Sequence, residues 1–182
     1  MPREAIAEVA VGRGRHRAAL AGLSGVSAAT FRRVADASRP PRGYIARRRL
    51  RRCSVTTAGL ILACLAAVIH IYIFYLESVA WTSPKTRAIF GVASAAEAET
   101  TKPLAFNQGF YNLFLAVSVI VGTVFFAVGE QTIGATLVFT GAGSMTAAGL
   151  VLLASSPDKA SAALKQLVPP LLGVILLAVG LR

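Results

Sequence analysis

Two ionisable residues stand seven apart within one apolar run, His70 and Glu77 in HIYIFYLESVAW. Ionisable groups inside a membrane span are costly and usually face the interior of the bundle. At 100° per residue, Glu77 falls within about 20° of His70 on the helix wheel, Trp81 within about 20° on the other side, and Phe74 about 40° away. The four make one stripe about three turns long. An imidazole and a carboxyl on one stripe can pass a proton, act as acid and base, or anchor a ligand. A second polar set follows in NQGFYN. Asn107, Gln108, Tyr111 and Asn112 share an arc of about 140°, and Ser118 continues that face deeper in. Gly109 within it lets a neighbouring helix or a ligand come close. Glu77 near the exit of one span and Asn107–Asn112 near the entry of the next lie at similar depth, so the simplest packing joins the two polar faces.

Other chemistries find no support in the residue types. There is no nucleophile elbow, no HExxH and no metal quartet, and His70 is the only histidine after the N-terminal segment. No metal or cofactor is expected. Cys53 and Cys64 lie 11 residues apart on one helix, too far for a disulfide.

Four apolar spans must position these groups. They run roughly over residues 55–79, 104–128, 133–154 and 162–181, each near the ~20 residues that cross a hydrocarbon core. Lys165 enters the fourth span close to one end and can snorkel to the headgroups. Pro169–Pro170 marks a kink or an interfacial start there. Between the first two spans, Ser83–Pro84 reads as a cap and first-turn proline of a short surface helix that stops at Gly91. Ser94 and Glu97 have capping-box spacing for the helix that enters the second span, and Pro103 should bend it near the interface. Residues 129–132 form a tight turn, and Ser156–Pro157–Asp158 repeats the cap-plus-proline pattern. In the third span Gly134, Gly141, Gly143, Ala147 and Gly149 provide small residues, and the spacing of Gly143 and Ala147 favours close helix contact. The expected fold is all-α, a four-helix transmembrane bundle with short connecting loops behind a disordered basic tail.

Composition agrees. The chain is 55% hydrophobic and 15% charged, with mean hydropathy +0.63, whereas soluble domains carry about a quarter charged residues. The net charge of +11 is confined to one region. Residues 1–52 hold 13 Arg and 3 acids, while residues 53–182 hold 6 Lys or Arg and 5 acids. Residues 1–52 are thus read as an unstructured tail with one short helix over 27–37, and residues 53–182 as the membrane domain. The tail suits anionic headgroups, a targeting segment, or a start codon placed too far upstream. It lacks aromatic interleaving, so nucleic acid is not an expected partner. Arg47, Arg48, Arg49, Arg51 and Arg52 favour termini in the cytoplasm of a cell (inner) membrane. Without the tail, Lys85, Arg87, Lys102, Lys159 and Lys165 on the other side would reverse that count.

With HIYIFYLESVAWTSP, Phe90–Gly91, NQGFYN and the LFLA that follows, the chain resembles a family of small bacterial integral membrane proteins catalogued as domain-of-unknown-function family thirteen-oh-four. The resemblance covers about Val55 to Leu181. His70, Tyr72, Tyr75, Leu76, Glu77, Trp81, Pro84, Asn107, Gln108, Gly109, Tyr111 and Asn112 match its pattern. The family implies a membrane bundle and no assigned activity, cofactor or catalytic residue.

Three functions follow. The first expectation is a structural or accessory bundle whose polar residues hold helices together, with the bilayer and a second copy or another membrane protein as partners. The alternative is small-molecule binding or proton-coupled transport through His70, Glu77, Trp81, Asn107, Gln108, Tyr111 and Asn112. The third is a membrane-embedded enzyme with Glu77 and His70 as acid and base.

Overall fold

The computed structural model describes Arg33 and residues 42–182. The chain divides into two units, Met1–Arg48 and Arg49–Arg182, and the second holds every apolar span. The disorder expected of the tail before residue 42 and the short helix expected over 27–37 lie, Arg33 apart, outside the described residues.

Among the described residues five α-helices follow one another: α1 (Arg42–Phe74), α2 (Pro84–Phe90), α3 (Ala95–Ala127), α4 (Gln131–Ser155) and α5 (Ala160–Gly180). A π-helical turn, Tyr75–Val79, extends α1, and a 3-10 turn, Pro157–Lys159, precedes α5. Four stretches of the described residues are long and apolar enough to cross a membrane: Leu50–Val79, Ala95–Ala127, Gln131–Ser155 and Pro157–Gly180. Residues 42–52, read from sequence as the end of an unstructured tail, are helical. Arg, Leu and Ala propagate helix well, and this stretch runs straight into the first span.

The signals around α2 and at the start of α3 act as their chemistry requires, whereas Ser156, read as a cap before the fourth span, makes no side-chain capping hydrogen bond. Ser83 Oγ accepts from the Thr86 N–H at 3.2 Å, and α2 ends at Gly91 with φ 72°, a left-handed conformation that glycine takes without strain. Ser94 Oγ accepts from the Glu97 N–H at 3.0 Å. Glu97 Oε2 reaches back to the Ala93 N–H at 2.9 Å, one residue before the cap. Gly129, with φ 102°, turns the chain between α3 and α4. Both α3 and α5 continue through their internal prolines, Pro103 and Pro169–Pro170.

The four spanning helices close a ring through small residues. A Cβ on Gly122 would meet the Gly134 carbonyl oxygen at 2.8 Å, and one on Gly141 would meet the Leu115 oxygen at 2.9 Å, so α3 and α4 touch backbone to backbone. Gly149 lies against Leu167 of α5, and Gly59 and Gly173 bring α1 against α5. Cys64 Sγ and Thr123 Oγ1, 3.6 Å apart, join α1 to α3. Among the described residues, nine of the fifteen buried hydrophobic ones are alanine, which lets helices approach closely without a hydrophobic drive between them. Many large side chains, among them Ile61, Leu65, Val68, Val124 and Val151, point outward, as a lipid solvent allows, while Met145 and Leu177 fill the centre. The contact expected of Gly143 and Ala147 is not made. A Cβ on Gly143 would meet nothing within 4 Å, and Ala147 is exposed. Contact runs instead through Gly134, Gly141 and Gly149, whose spacing of seven and eight residues keeps one side of α4 in register.

Candidate functional site

The π-turn sets the site. Ala80 donates its N–H to the Tyr75 oxygen at 3.0 Å, five residues back, and widens the last turn of the first span. The helix ends there, so Trp81 leaves the stripe expected of it and lies in the following turn. Its Nε1–H donates to the Ala98 oxygen and to Thr101 Oγ1, both at 3.1 Å, which pins the turn to the start of α3. Ser78 Oγ donates to the Phe106 oxygen at 2.9 Å. A Cβ on Gly109 would collide with Ser78 Oγ and meet the Phe74 oxygen at 3.2 Å, so only glycine admits this approach.

Two orientations follow from atom chemistry. His70 is 2% exposed, and its Nδ1 lies 2.8 Å from the Ala66 oxygen. A carbonyl only accepts, so Nδ1 carries the proton, and Nε2 of the neutral ring offers a lone pair. Asn112 Nδ2 lies 3.2 Å from the Gln108 main-chain oxygen, which likewise identifies it as the nitrogen. The same Nδ2 donates to Glu77 Oε2 at 2.9 Å. Both Asn112 hydrogens are thereby used, and Glu77, itself 9% exposed, keeps Oε1 free of protein donors among the described residues.

His70, Glu77, Gln108 and Asn112 line one cavity of about 790 Å³. Ile69, Ile73 and Leu76 of the first span, Ile89 and Phe90 of α2 and Leu152 of α4 supply apolar wall, and Asp158, Lys159, Ser161, Lys165 and Gln166 line it from the approach to α5 and its first turns. No hydrogen bond joins His70 to Glu77 among the described residues. The two polar faces thus meet through Glu77 and Asn112. Asn107 and Tyr111 are exposed and stand off the cavity, and Trp81 borders it only through Phe90, ring centroids 5.2 Å apart. The α5 contribution was not read from the sequence as part of the site. Ser161, Ala162, Lys165 and Gln166 recur at the spacing of one helix face, and that pattern was the available signal.

The family model described as Protein of unknown function (DUF1304) matches residues 64–178. The chain belongs to this family. The DUF1304 match takes in every cavity residue, from Ile69 to Gln166. No curated protein matches the chain, and no solved structure does.

Proposed function

We propose that this DUF1304 protein binds a small amphiphilic molecule within its bundle, at the cavity lined by His70, Glu77, Gln108 and Asn112. The cavity itself carries the reading. Its volume falls in the range of about 300–1,000 Å³ typical of ligand sites, and its few polar groups converge from separate helices on mostly apolar walls. A purely structural role accounts for part of the arrangement, because Glu77–Asn112 and Ser78–Phe106 cross-link the first and second spans. It does not account for His70, whose one hydrogen bond runs to its own helix. Nor does it account for a carboxylate where glutamine would cross-link as well at lower cost.

The cavity lies at one end of the bundle, formed by the exit of the first span, the entry of the second and the α4–α5 connection. The other end carries exposed Arg51 and Arg52. The arginines favour the cytoplasm of an inner membrane for that end, and on that orientation the cavity belongs to the outer half. Native mass spectra of detergent-purified wild type and Glu77→Gln test the binding reading. Wild type carries an adduct of constant mass that the variant loses. Equal spectra without an adduct, from equally stable proteins, return the polar residues to packing alone.

A further inference from the structure

We propose that the cavity selects a molecule bearing a protonated amine and, a short distance from it, an anionic group. This rests on the cavity being a binding site and adds what it binds. The first observation is the donor–acceptor count. His70 Nδ1 is committed to the Ala66 oxygen, so Nε2 of the neutral ring is an acceptor. Asn112 has used both hydrogens, and Glu77 Oε1 is a second acceptor. His70 and Glu77 of the first span therefore ask for a donor, while the Gln108 side-chain amide, which can donate or accept, lines the same cavity.

The second observation is charge. Glu77 is buried, and among the described residues the salt bridge is Lys102 with Glu99 at 3.5 Å, away from the cavity. No cation lies within ion-pair distance of Glu77 among the described residues. An uncompensated buried carboxylate is costly, and an ammonium supplies both the charge and up to three donors. The third observation is the lining from the approach to α5 and its first turns. Lys159 and Lys165 line the cavity with Asp158 as the one acid beside them, which leaves an excess of one positive charge for an anionic group. Ile69, Ile73, Leu76 and Leu152 receive the apolar part. Two sources share this chemistry, the headgroup of a phosphatidylethanolamine and a free apolar amino acid.

Trp81 is the single tryptophan, and its ring neighbour Phe90 lines the cavity, so its fluorescence reports occupancy. The full-length protein in mild detergent, stripped of bound lipid, is titrated with lysophosphatidylethanolamine, lysophosphatidylglycerol and leucine. Lysophosphatidylglycerol keeps the phosphate and chain but lacks the amine. The expected result is a saturable response to lysophosphatidylethanolamine, leucine or both, at least about thirtyfold tighter than to lysophosphatidylglycerol, the scale of one buried charge partner. Glu77→Gln abolishes that preference, and Lys165→Gln weakens binding while retaining it. A membrane source is shown by lysophosphatidylethanolamine alone, a soluble one by leucine alone. Equal or tighter binding of lysophosphatidylglycerol overturns the amine proposal and leaves the binding site standing. No saturable response to any of the three, with no adduct in native mass spectra, overturns both.

Discussion

At Glu77 the carboxylate does two jobs that substitution can separate. Oε2 accepts from Asn112 across the helix interface, while Oε1 is left for a ligand. Glutamine keeps an acceptor oxygen for Asn112, so Glu77→Gln should melt in detergent close to wild type while losing ligand. Asn112→Leu removes the interhelical bond and should lower stability by about 0.6 kcal/mol, up to about 1.7, the measured span for such bonds in membranes. Thermal unfolding followed by circular dichroism checks both. A large loss of stability in Glu77→Gln would mean that the carboxylate's charge holds the fold. Much of this was legible in the sequence. An acid and an imidazole on one stripe and an amide cluster at matching depth implied a meeting, and Glu77 and Asn112 do meet. What the pattern could not give was which amides turn inward. Asn107 and Tyr111 share the wheel arc with Asn112, yet Gly109 fixes the approach of the first span, and that approach leaves them outside.

Among the elements, the π-turn Tyr75–Val79 and Gly109 form one joint. Ser78 and Glu77 are carried on a widened turn whose Ser78 hydroxyl, held on the Phe106 oxygen, would collide with any side chain at position 109. Gly109→Val should therefore cost about 1–3 kcal/mol, the usual range for overpacking. Gly143→Ala, with nothing within 4 Å of its new methyl, should be neutral or stabilise by up to about 1 kcal/mol through helix propensity. Parallel melting curves of the two variants decide the matter, and the reverse order would contradict the packing described. Helix existence, the Ser83 and Ser94 caps and the Gly91 stop were all readable, because each depends on neighbours in sequence. The π-turn was not, since a wheel drawn at 100° per residue assumes the regular bond pattern that Ala80 breaks. The choice of Gly134, Gly141 and Gly149 over Gly143 was equally hidden, because it depends on which side of α4 faces α3 and α5.

For the whole molecule, the ring of four helices places the cavity at the end opposite Arg51 and Arg52, and the chain carries a native reporter of orientation. Cys53 is exposed beside those arginines, and Cys64 is half-buried in the bundle. A membrane-impermeant maleimide should leave Cys53 unlabelled in intact cells and label it after permeabilisation, whereas Ser161→Cys should label in both. Labelling of Cys53 from outside would invert the orientation. The most direct test of the central claim fills the cavity without touching its polar groups. Ala148 of α4 lines the cavity wall, so Ala148→Trp places an indole in that space. Native mass spectra of this variant should show a folded protein, with a melting temperature near that of wild type, that no longer carries the adduct found on wild type. An Ala148→Trp protein that retains the adduct at full occupancy would contradict the assignment of the cavity as the binding site.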